Sequence, residues 1–148
     1  MIELTNEMGE QINPALANRV PCILATASPG GVPSIGYRGS MMVFDGQHLA
    51  YWERTRGTEL ANIEANPRVE VLYRDHATRI GWKFHGVARI YKEGPIRDQV
   101  MAKVVERELA QDAERKGYAV VIRVDKVTNM IGQVQQQREE GQRSGFVP

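Results

Sequence analysis

The sequence predicts a mainly β fold, a small antiparallel barrel of about six strands with flanking helices. Three observations carry this expectation. Apolar residues recur with a period of two in Val69–Val71–Tyr73, in Trp82, Phe84, Ala88 and Ile90, and in Tyr118, Val120, Ile122 and Val124. Turn signals, Ser28-Pro29-Gly30-Gly31 and Asp45-Gly46, separate neighbouring strand candidates. Strands and helices do not alternate, which argues against a doubly wound parallel sheet.

Each element follows from its local pattern. Met8, Ile12 and Leu16 form one stripe of an N-terminal helix over 5–18, weakened by Gly9 and by Pro14, where a break is expected. Residues 21–27 read as a strand, 33–44 as a second, and 48–52 as a third beyond the Asp45-Gly46 hairpin. A short helix through Leu60 and Ile63 stops at Asn66-Pro67-Arg68, and strands over 69–74 and 82–90 follow. Gly94-Pro95 opens a helix whose apolar face holds Ile96, Val100, Met101, Val104, Val105 and Leu109. Lys116-Gly117 ends that pattern before the last strand. The tail from Gln133 is polar and reads as poorly ordered unless something binds it.

The totals bound the function. One domain is expected over 1–148, with a core at about 19–132 and a polar tail at 133–148. Nineteen basic residues face eighteen acidic ones, and no basic stripe appears, which argues against general nucleic-acid binding. No apolar run is long enough to span a bilayer, and Met1–Glu7 lacks the basic start and apolar core of a secretory signal. Cys22 is the only cysteine, so no internal disulfide forms; a reducing, cytoplasmic setting is expected. His48, His76 and His85 lie in different elements without metal-ligand spacing, and no nucleophile elbow or Ser-His-Asp set is visible.

The stretch that carries chemistry is Tyr51–Val71. Arg54, Thr55, Arg56, Gly57 and Thr58 lie between the end of a strand and the mouth of a helix. Free N–H groups and the positive helix end attract an anion, and guanidinium groups grip it with paired hydrogen bonds. This points to a phosphate-bearing cofactor or substrate. The competing reading of Arg54 and Arg56 is a solvated charged turn, and Glu59 counts against strong anion binding.

Several segments, in this order and spacing, resemble the pyridoxamine 5′-phosphate oxidase-like, FMN-binding split-barrel family. They are Cys22-Ile23-Leu24-Ala25-Thr26, the Gly31-Val32-Pro33 turn, the strand from Ile35 to Phe44, Asn62 to Val69, and Phe84-His85-Gly86-Val87-Ala88. The resemblance implies a split β-barrel that pairs as a homodimer, with FMN in a groove between subunits and a small-molecule substrate. It implies that Tyr37, Arg38, Gly39 and Ser40 lie along the flavin ring, and that Trp52, Glu53, Arg54, Thr55, Arg56 and Thr58 hold its phosphate. The protein is thus expected to be an FMN-dependent oxidoreductase. The alternatives are a non-catalytic flavin- or haem-binding dimer and a reductase using the deazaflavin F420. Trp82 and Phe84 are candidates for the dimer contact.

The chain departs from the oxidase pattern in three places. Gly36 replaces the first arginine of the flavin strand. Thr58-Glu59 replaces an Arg-Lys pair. Met130-Ile131-Gly132-Gln133 and the polar tail stand where the oxidase binds pyridoxal phosphate, which argues against pyridoxamine phosphate oxidation itself.

Overall fold

Burial alternates along Cys22–Ala27 (β1), Arg68–Arg74 (β5) and Gly81–Tyr91 (β6), so each strand turns one face into a shared core. The remaining strands are Pro33–Arg38 (β2), Met42–Asp45 (β3), His48–Glu53 (β4), Tyr118–Thr128 (β7) and Val134–Gln137 (β8). The computed structural model describes residues 1–142. All strand pairs are antiparallel, in the order β2-β1-β5-β6-β7-β4-β3, with β8 added to β7. The sheet curls into the predicted split-barrel shape.

The helices are Asn6–Ile12 (α1), Thr58–Ala65 (α2), Pro95–Lys103 (α3) and Glu106–Leu109 (α4). Inside the curl, Leu24, Leu49, Val71, Phe84 and Ile122 pack with Met8 and Ile12 of α1. A second cluster outside it joins Trp52, Ala119 and Val121 to Val100 and Val104 of the α3 region. Strand β4 is therefore covered on both faces, and all six of its residues are buried. No helix among the described residues is long and apolar enough to cross a membrane.

Four sequence expectations change. The run 33–44 is two strands, because a turn at Gly39–Met41 breaks it, with the Met41 N–H donating to Arg38 O at 3.2 Å. The helix expected through Leu109 divides at Val104 and Val105, which are both extended (ψ 135° and 137°). β-Branched residues resist the helical turn, and Val104 gains burial by leaving it. The polar tail is ordered over 133–142, and its remainder, 143–148, lies outside the described residues. It adds β8, Arg138 donates to Val124 O and Asp125, and Gln136 and Gln142 bind the backbone of Glu3 and Ile2. Trp82 and Phe84 lie in the barrel core rather than on an outer contact face.

Candidate functional site

The turn between β4 and α2 is built around the Glu53 carboxylate, which is 1% exposed. It accepts hydrogen bonds from the Thr55 hydroxyl (2.9 Å) and the Arg56 N–H (3.3 Å), so the loop folds back on its own strand end. The other Glu53 oxygen meets Arg38, at 3.1 Å from Nε and 3.0 Å from the terminal nitrogen. Arg38 in turn lies 3.6 Å from Glu59 of α2. Burial disfavours the charged guanidinium, but Glu53, Tyr51 and Glu59 outweigh it, and the Arg38 pKa rises.

Beneath Arg38 lies Tyr51, with the guanidinium 5.6 Å from its ring centre. Its hydroxyl is buried and makes no hydrogen bond of good geometry among the described residues, although the Arg38 guanidinium lies near enough to pull its pKa down in part. Burial, and then the Glu53 charge, push its pKa up, so it stays a neutral phenol.

Gly36 and Glu59, two of the departures from the oxidase pattern, form one unit. Glu59 accepts from the Ser34 hydroxyl at 3.1 Å and leans over the bare backbone of β2. A Cβ on Gly36 would stand 3.1 Å from its Oε1. Where the family pattern has cations, this chain has a carboxylate and the gap that admits it.

A crevice of about 60 Å³ opens beside this cluster, lined by Tyr37, Arg38, Gly39, Ser40, Trp52, Glu53, Arg54, Thr55 and Glu108. Eight residues singled out from the sequence thus meet at one place. Arg56 and Thr58 do not line it. The Arg56 guanidinium lies 5.7 Å from the Tyr118 ring centre on a backbone with φ 52°, and Thr58 opens α2. Ser40 is buried, its hydroxyl accepting from Trp52 N (2.9 Å) and donating to Trp52 O (3.3 Å), which ties the β2–β3 turn to β4. The Trp52 ring faces the outer cluster, donates to Asp112 at 2.8 Å and lies under Arg97.

Glu108 carries no local sequence signal for this site. It sits 54 residues beyond Arg54 in sequence, on a helix whose position depends on the break at Val104–Val105. Its carboxylate lies 3.2 Å from Arg54 Nε, and a Cβ on Gly39 would come within 2.5 Å of its Oε1. An oxyanion of the chain itself therefore occupies the space over Gly39 against Arg54.

This observation tests the fit of a flavin phosphate. The seat takes an oxyanion, and α2 presents a first turn without a side-chain cap behind Gly57. Arg54 can pair with such a group in place of Glu108, whereas no residue of α2 lines the crevice. Arg38 adds no free charge, because Glu53 and Glu59 already surround it. Among the described residues no cluster of His, Cys, Asp and Glu could hold a metal ion.

The comparisons with known proteins agree with this architecture. The family described as pyridoxamine 5′-phosphate oxidase matches residues 8–130. The chain belongs to that family. Among solved structures, this pyridoxamine 5′-phosphate oxidase-family chain is similar to tagged HupZ of Group A Streptococcus, with 28% identity, TM-score 0.69, and coverage of 90% of this chain and 98% of that one. It is similar to a candidate pyridoxamine 5′-phosphate oxidase of Lactobacillus delbrueckii, with 25% identity, TM-score 0.67, and coverage of 86% and 95%. It shares its fold with a pyridoxamine 5′-phosphate oxidase-related, FMN-binding protein of Nostoc punctiforme, at 15% identity, TM-score 0.65, and coverage of 86% and 84%. No curated protein matches the chain.

Proposed function

We propose that this protein is an FMN-binding oxidoreductase acting on a small molecule, with its cofactor reaching from the small crevice between β2 and β4 into a groove shared with a second copy of the chain. The observation that carries the reading is the Glu108 carboxylate held by Arg54 over Gly39, an anion already seated where the family places its cofactor. The side-chain-free backbone of Gly39 admits a flat ring, the exposed face of Tyr37 borders it, and Arg54 binds the phosphate in place of Glu108. When bound, FMN supplies hydride and electron transfer, so the chain's own residues bind, orient and exclude water. Arg38, fixed by Glu53 and Glu59, holds the floor of the crevice rigid.

Ile35 and Tyr37 of edge strand β2, and Val32 just before it, leave 68–70% of their surface exposed. Apolar side chains on an open strand edge favour pairing with a second copy. A homodimer across this strand would place the crevice beside the partner, in keeping with the family. Titrating FMN into the purified protein tests the reading: flavin fluorescence is quenched with saturation, and Arg54→Ala weakens the binding. A colourless protein that leaves FMN fluorescence unchanged overturns it.

A second reading, a binding protein without turnover, is favoured by one observation. Three carboxylates, Glu53, Glu59 and Glu108, face Arg38 and Arg54. Stopped-flow mixing of the loaded protein with NADPH or NADH decides between them, since a bound flavin that neither donor reduces belongs to the second.

A further inference from the structure

On the far side of Tyr37 from the crevice lies a groove of about 510 Å³. Ile23, Leu72, Pro21, Val20 and Leu16 line it with apolar surface, and Arg19, Arg74, Arg107 and His76 stand at its edge. The pairing of Ile23 with both Tyr37 and Leu72 lays one apolar row across β2, β1 and β5.

The charge pattern reverses that of the crevice. There the guanidiniums of Arg38 and Arg54 meet carboxylates. Here none of the four basic side chains forms an ion pair or side-chain hydrogen bond among the described residues. Cations gathered around an apolar floor, with no carboxylate answering them, repel one another and are relieved by an anion. An exposed arginine elsewhere is hydrated and costs nothing, but three that line one concave, largely apolar surface offer donors to one ligand, Arg74 standing where this groove adjoins a second one lined by Glu7 and Arg79.

We infer that this groove is a second binding site, taking a small amphipathic anion: an apolar body on the Ile23–Leu72 floor and a carboxylate or similar oxyanion held by Arg74, Arg107 and Arg19. The site stands independently of the flavin reading. If both hold, Tyr37 is a shared wall, and α4 sends Arg107 to the groove and Glu108 to the crevice. The groove would then receive the small-molecule substrate beside the cofactor.

The probe is 8-anilinonaphthalene-1-sulfonate, an apolar body with one anionic head, titrated into the full chain and followed by its fluorescence. Saturable binding is expected. Arg74→Gln with Arg107→Gln weakens it at least roughly tenfold, because charge-assisted hydrogen bonds are lost, and Leu72→Ser weakens it as well. Laurate displaces the probe, whereas inorganic phosphate at the same concentration does not. N-phenyl-1-naphthylamine, its uncharged relative, binds more weakly. Arg54→Ala leaves probe binding intact, which separates this site from the flavin crevice. Probe affinity unchanged by the double substitution, equal binding of the uncharged relative, or displacement by phosphate alone would overturn the inference. Far-ultraviolet circular dichroism confirms that each variant keeps its fold.

Discussion

Glu108 and Arg54 meet at 3.2 Å, and the Glu108 carboxylate fills the space above Gly39. The two side chains are 17% and 38% exposed, so their bond contributes only about 0–1 kcal/mol. A phosphate monoester, with close to two negative charges, outcompetes such a contact at modest cost. The seat that Glu108 occupies is therefore compatible with a ligand-binding role.

Arg38 is the residue on which the turn depends. Replacing it with Met leaves Glu53 buried without its charge partner, a loss of about 3–5 kcal/mol. Urea unfolding should show a midpoint lowered by more than about 1 M. Arg38→Met combined with Glu53→Gln should cost less than the two changes added together, since the second removes the stranded charge. Strict additivity would mean the pair is not coupled.

Tyr51→Phe should leave stability unchanged or raise it. Among the described residues the phenol hydroxyl is buried without a hydrogen bond of good geometry, only the Arg38 guanidinium lying near it, and removing such a group relieves a penalty of up to about 1–3 kcal/mol. A melting temperature lowered by several degrees would show that the hydroxyl has a partner, such as a bridging water.

Much of this was legible in the sequence, and the illegible part has one cause. Alternation along β5 and β6 exposes the barrel pattern, because a strand half-buried in a curled sheet must alternate, whereas β7 is covered on both faces and its 119–122 run is buried throughout. The turn at Arg54–Thr58 could be read from a helix mouth and its charges. What the sequence conceals is contact across long separations. Glu108 reaches Gly39 only because the helix breaks at Val104–Val105, and Gly36 reads as barrel curvature until Glu59 is found leaning over it. The turning of Arg56 onto Tyr118 likewise depends on β7 lying beside β4.

Cys22 should resist thiol reagents in the folded protein. Burial pushes its pKa up to about 12, so at pH 8 its thiolate fraction lies on the order of 10³-fold below that of a free cysteine. Reaction with dithiobis(nitrobenzoate) should release one equivalent in denaturant and almost none without it. Rapid native reaction would contradict the burial.

Asp112 links the Trp52 contact to pH. Burial raises its pKa, but hydrogen bonds from the Trp52 indole and from the Gly117 and Lys116 N–H groups outweigh this and hold it below the usual carboxylate value. A depressed folded-state pKa contributes stability that is complete above the unfolded value, about 3.9, and is lost as pH falls through the folded one. Wild type should exceed Asp112→Asn in stability at pH 7, and the gap should narrow below about pH 4. A gap that widens in acid would reverse the sign.

The most direct test of the central claim is FMN affinity in Glu108→Ala compared with the parent chain, read by flavin fluorescence quenching. Removing the resident carboxylate should tighten binding about fivefold, the equivalent of the ~1 kcal/mol its pairing with Arg54 supplies. Affinity that is unchanged or weaker in Glu108→Ala would contradict the assignment of this crevice as the cofactor's anion seat.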